Sequence, residues 1–222
     1  MTFDEYVRSI SSPQNLQREG SGGAPRIDRG AFFRQAFDQA RLTADQSAAL
    51  KWLVAQLNGP ARMLAISEDW SSDCRRDVPT FARMAAETGM ELRIFNRDGQ
   101  KFSAAHVPSL AEAPDSSADL MVQFLNHKGG QTYQSIPVCA FYTRDLEYLY
   151  HFTEYAAIYD KERVVVQNIR ASRPGESPEQ TRQRSDKEFG ALVDSPFWRI
   201  WTSATVDEIV SALHRKAVLG EV

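Results

Sequence analysis

Cys74 is the residue of this chain best placed to do chemistry. It follows Trp70-Ser71-Ser72-Asp73, where a polar turn gives way to a helix, and so falls in the first helical turn. Unpaired N–H groups and partial positive charge at a helix N-terminus stabilise a thiolate and lower its pKa, as a nucleophilic thiol requires. The second cysteine, Cys139, lies two residues after Pro137 in the run Ile136-Pro137-Val138-Cys139. Ser71 can hydrogen-bond to a Cys74 thiolate, but without a neighbouring base its own hydroxyl stays protonated and cannot attack. Asp73 caps the helix or complements its dipole, and as an adjacent negative charge it opposes thiolate formation. Beside this stands a plainer reading, in which either cysteine is an inert core thiol. Arg75 and Arg76 either attract an anionic thiol such as glutathione or are solvated surface charges. His106, His127, His151 and His214 are scattered without metal-ligand spacing, so no metal site is expected.

The elements that must hold these residues can be read from period and punctuation. Met1–Ile10 reads as a short helix, and residues 11–30, rich in Ser, Gly, Gln and Pro, as a mobile linker. Phe32, Phe33, Phe37 and Ala40 recur at helical spacing. The capping box Thr43-Ala44-Asp45-Gln46 opens a second helix with Leu50, Leu53, Val54 and Leu57 as its buried stripe, ending at Asn58-Gly59-Pro60. Residues 62–66 form a strand. The motif helix follows, kinked at Pro79 and stopped by Gly89, and residues 91–95 form the next strand. After a loop over 100–119, Leu120, Met121, Phe124 and Leu125 read as a short helix closed by Gly129-Gly130. Residues 135–142 and 146–152 make an antiparallel hairpin, with His151 at the surface. The remainder is helical, its mixed charges over 160–188 marking a solvated face, with helix starts at Ser195 and Thr205.

With these elements in place, the chain resembles the thioredoxin superfamily, and more narrowly the larger bacterial thioredoxin-like proteins whose site reads Trp-Cys-x-Asp-Cys. The matching residues are Trp70-Ser71-Ser72-Asp73-Cys74, Pro79 five positions on, and Ile136-Pro137 before a strand; they span about residues 60–155. The resemblance implies an α/β, thioredoxin-like three-layer fold: βαβ plus ββα around a mixed central sheet, with an N-terminal helical hairpin and a C-terminal helical extension. The corresponding division is 1–59, 60–155 and 156–222, the last packed on the core. It also implies that Pro137 is cis and faces the motif helix, with Trp70, Ser72, Asp73, Ile136 and Pro137 around the substrate. Ser71 then stands where the family has its nucleophilic cysteine, and Ala65 falls near the position of the family's buried acid. The two-thiol cycle within the motif is thereby lost. A single-thiol oxidoreductase remains, in which Cys74 exchanges with a protein or low-molecular-weight disulfide and an external thiol such as glutathione, or Cys139, resolves it. Strand alternation, in the implied fold, turns Cys139 toward the motif helix and makes a Cys74–Cys139 pair worth considering. The alternative is a redox-inactive binding module for an extended peptide or partner protein. A glutathione transferase relative fits less well, because about 60 residues precede the unit and the Glu/Asp-Ser pair after the proline strand is missing.

Composition sets the outer limits. The 222 residues suit one main core. With 26 Lys+Arg against 29 Asp+Glu the net charge is −3, which leaves no cationic excess for nucleic acid. No stretch approaches the roughly 20 apolar residues of a membrane helix, and the N-terminus lacks a signal pattern, so a cytoplasmic location is expected.

Overall fold

The computed structural model describes residues 1–220. Its chain order is α1 (Phe3–Ile10), α2 (Pro13–Leu16), α3 (Gly30–Gln39), α4 (Ala44–Val54), β1 (Arg62–Ser67), α5 (Ser72–Thr88), β2 (Glu91–Asn96) and α6 (Ala118–Met121). It continues with β3 (Asn126–Lys128), β4 (Gln131–Tyr133), β5 (Val138–Tyr142), β6 (Tyr148–Thr153), a π-helical segment (Glu162–Arg170), α7 (Pro178–Val193) and α8 (Pro196–Ala217). Two compact units result. One comprises residues 1–155 together with those from Val206 onward; the other is 156–205.

In the larger unit a mixed sheet runs in the order β2-β1-β5-β6, with β1 and β2 parallel and the other pairings antiparallel. This is the mixed central sheet that the resemblance implies. Register decides what each face carries. Met63, Ala65, Leu92, Ile94, Cys139, Phe141 and Phe152 share one face and are buried. There Phe81 of α5 meets Phe152 edge-on, with ring centroids 5.9 Å apart. The opposite face exposes Arg62, Leu64, Glu91, Arg93, Phe95 and Tyr142 around an open cavity of about 240 Å³.

Local chemistry explains the boundaries. The Thr43 capping box forms as its sequence dictates, and Gly89 ends α5 at φ 78°, where a Cβ would be strained. Helix α5 runs through Pro79 without interruption from Ser72 to Thr88. Gly129 and Gly130 close no helix: both have positive φ (58° and 78°) and form the two-residue turn between β3 and β4, as mirror-image hairpin turns require. The helix expected up to Leu125 accordingly stops earlier, at α6 and one 3₁₀ turn. Leu57 is 99 % exposed, because α4 ends at Val54 and the stripe does not extend past it. His151 is half-buried, with its Nδ1 2.7 Å from the Tyr148 hydroxyl and its ring against Phe124.

The largest departure concerns the expected linker. Residues 11–30 are held to the sheet unit by buried polar side chains, Asn15, Arg18 and Arg26, rather than left mobile. In the smaller unit, Tyr159 stacks on Trp201 (4.3 Å) and Phe189 meets Trp198, which gives that helical segment its own aromatic core. The start expected at Thr205 lies within α8, which runs unbroken from Pro196.

Candidate functional site

The junction of β1 and α5 carries the motif. Ser71 is the N-cap of α5, and its Oγ accepts from the Cys74 N–H at 3.3 Å. Its hydroxyl is therefore engaged in closing the helix end. The Ser71 N–H in turn donates to the Glu68 carbonyl at 3.2 Å. Around it the first turn of α5 is covered: Ser71 is 7 % exposed and Cys74 0 %, with Ser72 and Asp73 buried beside them.

Burial reverses the expected effect of the helix terminus on the thiol. Desolvation pushes Cys74 up to about 12, with Asp73 adding in the same direction. Hydrogen bonds from the Glu68 backbone and from the Ser67 and Ser71 hydroxyls pull the other way without offsetting it. Cys139 is also wholly buried and shifted upward, first by burial and then by the charge of Asp77. Both cysteines are free thiols, so the pair considered from strand alternation carries no bond here. Over the same spot lies Tyr6 of α1, whose hydroxyl is 2.8 Å from Ser67 Oγ and whose pKa burial raises far above normal.

Arg76 is no surface charge. It is buried between Asp73 (3.2 Å) and Asp77 (2.6 Å), and its Nη2 also donates to the Glu154 carbonyl at 3.2 Å. Glu154, at φ 68°, donates its own N–H to the Pro137 carbonyl (2.8 Å), and its carboxylate pairs with Lys128 (2.6 Å). One residue thus ties the motif helix to the proline loop, where the Ile136–Pro137 bond is cis. Arg75 stands 5.7 Å above the Phe32 ring.

Trp70 is half-buried, edge-on to Phe102 at 5.5 Å, with the Arg97 guanidinium 5.0 Å over its ring. Arg97 grips Asp98 with two hydrogen bonds and donates to the Gln134 carbonyl at 3.0 Å, so the tryptophan and the loop into Ile136-Pro137 share one anchor. The Trp70 Nε1 is buried with no hydrogen-bond partner.

A second cluster sits on the loop between β1 and the motif. Glu68 and Asp69 are buried, and two arginines from the glycine-rich N-terminal segment meet them. Arg18 lies 2.7 Å from Glu68 and donates to the carbonyls of Asp98 and Gly99; Arg26 lies 2.7 Å from Glu68 and pairs with Asp69. Asn15 completes the set, donating to Asp69 at 2.9 Å. Sequence reading missed all of these residues, together with Tyr6 and Glu154. Arg18 and Arg26 gave no local signal that sets them apart from Glu19, Asp28 and Arg29 in the same small and polar stretch. Among the described residues no group of His, Cys, Asp and Glu is arranged to hold a metal ion, and no helix is long and apolar enough to cross a membrane.

Comparison with known proteins closes the assignment. No curated protein matches the chain. A solved structure of a Pseudomonas aeruginosa protein of unknown function aligns over 83 % of this chain and 81 % of its own, at 13 % identity and a TM-score of 0.41. A family model described as thioredoxin matches residues 32–169, which takes in α3 and α4 as well as the sheet and the motif helix. With well over half its length under that model and the mixed sheet it requires, the chain belongs to the thioredoxin family.

Proposed function

We propose that this chain is a thioredoxin-fold binding module for an extended peptide or partner protein, its Cys74 thiol silent in the folded state. The observation that carries this reading is the state of the motif itself. The only motif thiol is fully buried and pushed up to about 12, and the serine in the nucleophile position is engaged as a helix cap. A thiol protonated at neutral pH and closed to solvent does not attack a disulfide. The recognition groups remain: the Trp70–Phe102–Arg97 stack and, two residues beyond Gln134, the main chain of Ile136, whose side chain is buried. Among the described residues no backbone group hydrogen-bonds to the Ile136 main chain, which suits pairing with an added extended segment.

The test is a pair of measurements on the unmodified chain. Peptide-array or titration binding is expected to give extended ligands whose affinity falls about tenfold or more with Trp70→Ala, the size of one lost aromatic anchor. Iodoacetamide is expected to leave Cys74 unmodified at pH 8 and to modify it once the chain is denatured. Rapid modification of the native chain would overturn the silent thiol.

One observation favours a second reading, the single-thiol oxidoreductase. The Glu68 backbone and the Ser67 and Ser71 side chains each pull the Cys74 thiol toward its thiolate, against burial. In that cycle the thiolate attacks one sulfur of a protein or glutathione disulfide and the other sulfur leaves as thiolate. An external thiol then attacks the substrate sulfur of the mixed disulfide and frees Cys74 as thiolate; alternatively Cys139 attacks the Cys74 sulfur, expels the substrate thiolate and leaves a Cys74–Cys139 disulfide that two equivalents of external thiol reduce. Exchange with a small disulfide by the native chain, lost with Cys74→Ala, would establish it.

A further inference from the structure

We propose that residues 11–30 form a detachable strap, and that its arginine clasp on Glu68 and Asp69 keeps Cys74 closed off. The proposal goes beyond the binding reading: the thiol's silence becomes a property of the clasped state rather than of the fold.

The strap is attached in an unusual way. Between Ile10 and Phe33 no apolar side chain enters the core; Ile27 is 63 % exposed and Leu16 is exposed as well. What is buried in this stretch is polar: Asn15, Arg18 and Arg26, with Gly20 and Gly30. Gly22 and Gly23 both adopt positive φ with nothing within 4 Å of a built Cβ, so the tip of the strap faces open space there. Attachment is polar throughout: Arg18 and Arg26 against the buried Glu68 and Asp69, with Asn15 bridging, and at the rim Glu19, whose N–H donates to the Gln100 carbonyl and whose carboxylate accepts from Lys101 and the Phe102 N–H. Buried ion pairs of this kind offset their own desolvation only narrowly, whereas an apolar seam would hold by burial alone.

The clasp connects to the motif chiefly through Glu68. Glu68 has its carboxylate between the two arginines, while its carbonyl accepts from the N–H of Ser71, whose hydroxyl in turn receives the Cys74 N–H. Its Oε1 also accepts from the Asp98 N–H, which fixes the loop from the β2 side. On the upstream side Asn15 donates to the carbonyl of Ile10, the last residue of α1, and Tyr6 of that same helix reaches Ser67, which adjoins Glu68 at the end of β1. Letting go of the carboxylates frees the loop that walls the thiol and the helix that roofs it.

Two variants open the clasp from opposite sides: Arg18→Gln with Arg26→Gln, and Glu68→Gln with Asp69→Asn. Each is made in the full chain carrying Cys139→Ala, so that Cys74 is the only thiol, and circular dichroism reports the fold. Both are expected to raise the iodoacetamide modification rate of Cys74 about tenfold or more over the clasped parent. An unchanged rate in either folded variant overturns the proposal. If the variants do not fold, amide hydrogen exchange of the unmodified chain decides. Residues 15–26 and 68–74 are expected to exchange together, and faster than β1; exchange of 15–26 as slow as β1 overturns the strap. Failure of the binding reading is separate, because it is read from ligand affinity and native-state reactivity of the parent, not from the difference between clasped and unclasped chains.

Discussion

Ser71 shows how one atom changes what a site can do. A cysteine there would present a second thiol at the helix N-terminus, whereas the hydroxyl accepts the Cys74 N–H and is consumed by capping. Replacing it with alanine is expected to cost about 1 kcal/mol of stability, the usual value of a lost N-cap, measured by denaturant unfolding. Because desolvation governs the Cys74 thiol, the same variant should leave it protonated up to pH 9 in the folded chain, followed by thiolate absorbance. A pKa falling toward the ordinary thiol value would show that losing the cap uncovers the thiol, since removal of the hydroxyl by itself can only raise it. Cys74, Pro137 and Trp70 were legible in the sequence because a motif with fixed spacing marks them. Glu68, Arg18 and Arg26 were not, because the contacts that define them span 50 residues from Arg18 to Glu68 and 43 from Arg26 to Asp69. Nor does helix-terminus chemistry foretell that the terminus is covered, which inverted the expected thiol shift.

Among the elements, those with local punctuation were read well. The Thr43 capping box, the Gly89 stop, the apolar run of β1 and the alternation of β2 are each written in their own residues. Gly89 is a measurable case: at φ 78° it has open space around a built Cβ, so Gly89→Ala should cost about 1 kcal/mol through backbone strain alone. Urea unfolding checks this, and a neutral result would mean that the helix end shifts to relieve the strain. Where punctuation is ambiguous the reading failed. Gly129-Gly130 serves a hairpin as readily as a helix end, and only pairing of Asn126–Lys128 with Gln131–Tyr133 decides between them. Thr205 has the form of a helix start, yet it lies inside α8, its hydroxyl turned back to the Trp201 carbonyl.

Across the molecule, the acid side of stability should report on the helical unit. There Glu176 is held down to about 2, first by its hydrogen bond from Arg184 and then by donors from Arg173 and Thr181. A depressed carboxyl pKa adds stability that is complete above the unfolded value of 4.5 and is lost as pH falls from there toward 2. Thermal melts of the parent and of Glu176→Gln should therefore differ at pH 6 and converge near pH 2. The difference should be small, since the pair is in contact with solvent. A gap that persists at pH 2 would assign the effect to packing instead. The family assignment rests on the sheet and on residues 32–169, and it extends to α3 and α4, helices that motif spacing alone had left outside.

The polar character of the strap also bears on how the chain is made. Arg18 finds its carbonyl partner at Gly99, 81 positions later in synthesis. At ribosomal speeds of about 5–20 residues per second, the strap waits roughly 4–16 s before its seat exists. A greasy segment exposed for that long would invite aggregation or chaperone capture. This one offers only Leu16 and Ile27 among serines, glycines and charges, so it can trail from the ribosome unprotected and fasten last.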